Sequence, residues 1–185
     1  MNWTHLFTLE HSKLAYRADF ALYASASIAL AAFLMIAGPP GQHLEIMAFS
    51  LLGLTGWTLI EYLLHRFVLH GLRPFSTWHA EHHRRPAALI NTPTILSAAL
   101  IALLVFLPGL ILGGLWRGCA LTFGILTGYL AYSITHHASH HWRANHAWMK
   151  QLKHWHALHH SPHTQPGHYG VTSGFWDYVF GSRQR

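Results

Sequence analysis

Four apolar runs divide this chain, and each stops at a polar or glycine-rich break. Phe20 to Ala37 carries no charge and is followed by Gly38-Pro39-Pro40-Gly41-Gln42, a punctuation that ends a helix and turns the chain. Ile46 to Leu64 is interrupted only by Glu61, one helical turn before His65. Thr94 to Trp116 contains Pro108-Gly109 and Gly113-Gly114, which predict a kink or a re-entrant hairpin. Gly118 to Thr135 ends directly on His136. A helix needs about 20 apolar residues to cross a hydrocarbon core, and all four runs approach that length.

The pattern therefore predicts an all-α integral membrane protein, a single domain over residues 1–185. Its expected spans are 20–37, 46–64, 94–116 and 118–135, and the polar segments 65–93 and 136–181 are expected to bear a site. Lys13 and Arg17 before the first run resemble the start of a signal peptide. No A-x-A-like cleavage site accompanies them and the run has full spanning length, so it reads as retained.

Composition strengthens the membrane reading. The chain is 51% hydrophobic and only 10% charged, whereas about a quarter of a soluble domain is charged. The formal charge of +6 comes from basic residues interleaved with apolar spans, a distribution explained by membrane topology and not by nucleic-acid binding. Four crossings put both termini on one side. Eleven of the twelve Lys and Arg residues fall on that side and only Arg117 lies opposite, which assigns it to the cytoplasm. The single cysteine, Cys119, excludes an internal disulfide and a cysteine-based metal site, and reads as a small apolar residue within a helix.

Nineteen histidines in 185 residues need a chemical reason. His79, His82 and His83 have i, i+3, i+4 spacing and could aim three imidazoles at one point. His65 and His70, five apart, could meet a common centre only near a helix end. His156, His159 and His160 repeat the triplet, and His136 with His140 is an i, i+4 pair. His137 and His141 have the same spacing on a face turned by roughly 100 degrees, so only one pair can face the site squarely. His146, His154, His163 and His168 have no partner at ligand spacing and read as solvated or supporting residues. Imidazole ligates iron, zinc, copper and nickel, and ten are too many for one ion, so the spacing suggests two metals. Glu61, Glu81 and Asp177 are candidates to orient ligands by accepting ring N–H bonds.

The series His65-x4-His70, His79-x2-His82-His83, His136-x3-His140 and His156-x2-His159-His160 resembles the fatty acid hydroxylase / sterol desaturase superfamily of integral-membrane di-iron enzymes. Gly170 to Gly181, GVTSGFWDYVFG, is similar to the segment after the last histidine box of the fatty acid and ceramide hydroxylases. The resemblance covers residues 61–181. It implies that the metal ligands are His65, His70, His79, His82, His83, His136, His140, His156, His159 and His160, which favours His136 and His140 over His137 and His141. It further implies four transmembrane helices with a cytosolic histidine-rich helical cap around a dinuclear site, two irons, and dioxygen as co-substrate. The reaction it implies is hydroxylation of a lipid drawn from the bilayer, with a separate electron donor, a cytochrome b5-like or ferredoxin-like protein with its reductase. Zinc is an expected replacement for iron in purified protein, since imidazole accepts both.

Two rival expectations remain at this stage. A carotenoid or sterol hydroxylase, or a desaturase, would use nearly the same boxes. A non-enzymatic metal transporter or sensor would place ionisable ligands near the bilayer midplane, whereas these sit at the ends of spans. Most of Trp78, Trp142, Trp148, Trp155, Phe175, Trp176 and Tyr178 fit an interfacial aromatic belt better than a lipid entrance, while Trp176 and Asp177, in the family-like segment, are alternatively expected to pack the C-terminal cap over the site.

Overall fold

The structure is a computed structural model that describes residues 10–161, 163 and 166–183. The expected site segment 136–181 thus includes three positions, Pro162, Thr164 and Gln165, outside the described residues, as are residues 1–9 at the start and 184–185 at the end. Among the described residues the fold is all-helical, with an isolated bridge between Glu10 and Ile90 and no strand. The helices are α1 (Lys13–Ala37), α2 (His43–Leu63), α3 (Phe75–Arg84), α4 (Thr94–Ile101), α5 (Leu107–His141), α6 (Ala147–His159) and α7 (Phe175–Val179). Two π-helical turns, Leu64–Leu69 and Ala102–Phe106, continue α2 and join α4 to α5.

Among the described residues three helical stretches are long and apolar enough to cross a membrane: Lys13–Ala37, Pro40–Leu69 and Thr94–His141. Ser12 begins the first by accepting the Ala15 N–H on its hydroxyl at 3.2 Å, which satisfies one of the orphan donors of a helix start. The third, at 48 residues, is not straight. Gly114 sits at φ 77 and ψ 178, a conformation open to glycine and closed to other residues. Beyond it the chain returns, because a Cβ on Gly118 would lie 2.7 Å from the Leu110 nitrogen and one on Gly109 would lie 3.1 Å from the Gly118 Cα. Nine residues of straight helix would hold those positions about 13 Å apart. The Gly113-Gly114 break, expected to give a kink or a re-entrant hairpin within 94–116, is instead a reversal that joins the two apolar runs read as 94–116 and 118–135.

The chain forms two compact units, Met1–Trp57 with Leu89–Leu130 and Thr58–Ala88 with Ala131–Arg185. In the first, Leu34, Ile46, Cys119 and Ala120 form a buried cluster packed by Leu30, Phe49, Phe106, Trp116 and Phe123. Asp19 is buried there and accepts bonds from Thr94 Oγ1 at 2.6 Å and Asn91 Nδ2 at 3.4 Å, which answers the cost of an acidic group in an apolar helix. Leu14, Ile28, Met35, Ile36, Ile111 and Leu112 are largely exposed, a surface suited to hydrocarbon and costly in water. The second unit is where the histidines collect.

Candidate metal centre

Each helix of the second unit except α7 delivers imidazoles, and for a local reason. The π-helical turn Leu64–Leu69 closes on the His70 N–H, which donates to the His65 carbonyl at 3.3 Å. An i→i+5 turn carries the fifth residue back over the first, so the five-residue spacing that looked loose brings the two rings to 5.3 Å. On α3, His79 and His83 share a face with rings 4.6 Å apart. His82 turns away from that pair, since i+3 and i+4 differ by about 100 degrees around a helix. On α6 the same rule pairs His156 with His160, at 4.5 Å, and turns His159 aside.

The expectation that His79, His82 and His83 aim at one point is therefore corrected. The fold draws the histidines into two groups, His65, His70, His79, His83 and His159 in one, His82, His136, His140, His156 and His160 in the other. Each triplet sends its i, i+4 pair to one group and its third member to the other. Within each group the ligand nitrogens all lie within 4.8 Å of one another. Nitrogens bound at about 2.1 Å can be no more than about 4.2 Å apart, so each cluster needs a closure of only tenths of an ångström to become a coordination shell.

The nitrogens meet head to head. In the first group His79 Nε2 lies 3.0 Å from both His65 Nε2 and His83 Nε2, and His70 Nε2 lies 3.1 Å from His159 Nε2. In the second, His82 Nε2 is 3.1 Å from His136 Nε2 and His140 Nε2 is 2.8 Å from His156 Nε2. His65 Nδ1 donates to the Tyr169 carbonyl at 2.5 Å and His159 Nδ1 to the Gly167 carbonyl at 2.8 Å. Those bonds fix the tautomer, so the inward Nε2 atoms of His65 and His159 carry lone pairs. His82 Nδ1, His156 Nδ1 and both nitrogens of His160 are buried without a hydrogen-bond partner among the described residues. Lone pairs converging on lone pairs, and buried nitrogens without partners, fit a divalent metal in each group by the chemistry of the donor set.

Charge supports the same conclusion. Burial first, and neighbouring imidazoles second, hold His82 at about 3 and His83 at about 4. Burial also holds His159 at about 3, although its bond to the Gly167 carbonyl opposes the shift. His79, His156 and His160 are held well below their ordinary value by the same two causes, and burial lowers His70. These side chains are neutral at physiological pH, as metal ligation demands.

The remaining histidines go elsewhere. His137 and His141 stack on each other at 4.5 Å, and His137 meets Trp142 edge-on. His168 is buried at φ 55 and stacks on Trp155. Of the three carboxylates, Glu81 pairs with Arg84 and with Arg85 at 3.0 Å. Glu61 accepts the Val171 and Thr172 N–H groups and the Thr172 hydroxyl. Asp177 accepts the Tyr169 and Gly170 N–H groups. Sequence reasoning missed the carbonyls of Gly167 and Tyr169, because a backbone acceptor leaves no mark in side-chain spacing.

Among the described residues, an all-helical fold with three membrane-compatible helices and two five-imidazole clusters defines a class, the histidine-box membrane proteins. The pattern of the fatty acid hydroxylase family matches residues 50–182, and the chain belongs to that family. It is 37% identical over 141 residues to the dihydroceramide fatty acyl 2-hydroxylase FAH2 of Arabidopsis thaliana, covering 70% of this chain and 58% of that protein. It is 34% identical over 149 residues to the ceramide very long chain fatty acid hydroxylase scs7 of Schizosaccharomyces pombe, 74% of this chain and 42% of that one. The fatty acid 2-hydroxylase of Homo sapiens is 30% identical over 142 residues, 70% and 38% of the two chains. The chain spans about half the length of the curated relatives it matches. A solved structure described as full-length scs7p with only its hydroxylase domain visible superposes with a TM-score of 0.79 at 25% identity, over 96% of this chain and 68% of that one.

Proposed function

We propose that this protein is an oxygen-dependent di-iron lipid hydroxylase that inserts a hydroxyl group into an acyl chain of a fatty acid, ceramide or related lipid. The observation that carries the reading is the sorting of ten imidazoles into two five-membered groups in a chain of the fatty acid hydroxylase family. In this reading His65, His70, His79, His83 and His159 hold one ion and His82, His136, His140, His156 and His160 the other. Bound iron supplies the oxygen chemistry: one atom of O2 enters the C–H bond as hydroxyl and the other leaves as water, with two electrons and two protons from a separate donor. A cytochrome b5-like or ferredoxin-like protein with its reductase fits that role.

The chain's own residues hold and aim. His65 and His159 keep their Nδ1 protons on backbone carbonyls and turn lone pairs inward. The named relatives act on fatty acyl and ceramide substrates, which favours an acyl substrate over a sterol or carotenoid. Four crossings are supported by the reversal at Gly114, next to which Arg117 Nε donates to Glu45 Oε1 at 2.6 Å. With basic residues concentrated on the opposite side, the termini and the metal centre face the cytoplasm.

The test is expression of the whole chain, growth under ¹⁸O2, and mass spectrometry of extracted lipids. Mono-hydroxylated acyl products carrying the label, with about two irons per chain, are expected. Absence of every hydroxylated product from a chain loaded with iron and supplied with donor overturns the proposal.

A further inference from the structure

The bonds around residues 167–172 assign a task to Glu61 and Asp177 that neither ring N–H bonding nor direct ligation describes. We infer that these two carboxylates are positioning residues that act through the backbone, holding the carbonyls of Gly167 and Tyr169 in place to orient His65 and His159, and therefore serve one metal position and not the other. The inference rests on the two-metal reading of the preceding section and deepens it.

Glu61 is buried, and its Oε1 accepts the Val171 N–H at 2.6 Å and the Thr172 N–H at 2.8 Å. Its Oε2 accepts the Thr172 hydroxyl at 2.7 Å. Asp177 is fully buried; Oδ1 accepts the Tyr169 N–H at 2.8 Å and the Ser182 hydroxyl at 2.7 Å, and Oδ2 accepts the Gly170 N–H at 2.8 Å. Four successive N–H groups, 169 to 172, are thus held by two carboxylates. Charge-assisted bonds of this kind are roughly twice as strong as neutral ones. Asp177 is steadied in turn: Arg66 donates to the Tyr62 hydroxyl at 2.6 Å, and the Tyr62 hydroxyl lies 2.9 Å from Ser182 Oγ.

The held segment has no slack. Between the two working carbonyls His168 sits at φ 55, a left-handed conformation that non-glycine residues rarely adopt. Such a residue persists where its surroundings over-determine it, and here its N–H donates to the Ser182 carbonyl at 3.1 Å while its ring stacks on Trp155. Gly170 is bound just as tightly, since a Cβ there would lie 2.0 Å from the Ser173 carbonyl oxygen and 3.0 Å from Asp177 Oδ2. The two carbonyls supplied by this segment both go to the first histidine group. In the second group, the Nδ1 atoms of His82, His156 and His160 have no hydrogen-bond partner among the described residues.

The two carboxylates differ in what a neutral amide would do. In Glu61→Gln the retained oxygen still accepts both N–H groups, and the Thr172 hydroxyl can reverse to accept from the new amide. In Asp177→Asn either amide orientation sets an NH2 against a loop N–H, because each oxygen of Asp177 accepts one.

The experiment loads purified full-length wild type, Glu61→Gln, Asp177→Asn and Ser182→Ala with zinc, then follows metal release to a chelator. Wild type is expected to hold two ions per chain. Asp177→Asn should hold one of them about 10- to 100-fold more weakly and the other unchanged, while Ser182→Ala and Glu61→Gln should each weaken the same ion by less, since Glu61→Gln keeps the bonding pattern and loses only the charge. The undisturbed ion reports that the variant is folded, and Ser182→Ala carries the test if Asp177→Asn does not accumulate. Equal weakening of both ions, no weakening in either variant, or equal losses in Glu61→Gln and Asp177→Asn would overturn the inference and leave the two-metal reading standing. A wild-type chain that binds no metal would overturn both.

Discussion

The two histidine groups use the same ligand type in the same number, yet they are built differently. The first, His65, His70, His79, His83 and His159, includes two rings whose outer nitrogens are pinned by main-chain carbonyls. It also includes His70, the least buried of its five members. The second, His82, His136, His140, His156 and His160, has no exposed member, and three of its rings carry buried outer nitrogens without a partner among the described residues. One group is oriented from outside and open on one side; the other is held by the packing of its own helices. Imidazole orientation can thus come from hydrogen bonds or from steric confinement, and the two should respond differently to perturbation.

The harshest way to break the comparison is to remove one ring from each group. His79→Ala and His82→Ala should both reduce hydroxylated lipid below detection while the protein still inserts in the membrane, and each should lower bound metal from two ions to one. Activity retained in either variant would show that the two groups do not work as a pair.

Gly170→Ala comes next. A Cβ 2.0 Å from the Ser173 carbonyl forces the 167–172 segment to shift, at a cost of about 1–3 kcal/mol, and only the first group should lose affinity. Thermal unfolding with and without metal measures it, and unchanged affinity in both groups would make the segment irrelevant to orientation.

Acid should act on both groups. An unfolded histidine titrates near its ordinary value of 6.5, whereas His82 and His159 are held at about 3 and His83 at about 4 in the fold. Above pH 6.5 neither state binds a proton and stability is flat. Below it the unfolded chain takes up protons that the native chain refuses, so stability of the metal-free protein falls steadily from pH 6.5 toward about 4. Denaturant midpoints across that range check the sign; a rise would contradict it.

The smallest effect belongs to His137→Ala and His141→Ala. Both rings stack outside the two groups, so metal content and product yield should stay near wild type. A lost ion in either variant would reassign the i, i+4 pair on α5.

Much of this was legible in the residues. Apolar run length marked helices able to cross a membrane, and Gly113-Gly114 marked a break in the helix, because the combination of φ 77 and ψ 178 found at Gly114 is essentially confined to glycine. Helical spacing marked the two triplets but left His136 with His140 and His137 with His141 as alternatives; the family resemblance made the choice that completes the ten histidines the fold collects. Their division was not legible: spacing says which rings share a face of one helix and nothing of which faces meet across helices. The π-helical turn at Leu64–Leu69 was equally hidden, since no residue type demands it. Among the carboxylates, Glu61 and Asp177 drew notice as candidates to accept ring N–H bonds, but spacing could not reveal that their partners are backbone amides. Glu81, on the same helix as three of the histidines, is engaged by Arg84 and Arg85.

The sharing of members between the groups has a consequence for the chain as a whole. Residues 65–83 give four histidines to the first group and one to the second, and residues 136–160 give one to the first and four to the second. Neither stretch can complete a nest alone, so each lends the other its fifth ligand. An ion seated in either nest is a rivet through two stretches more than fifty residues apart in sequence, and loading either one should knit the chain together as firmly as loading the other.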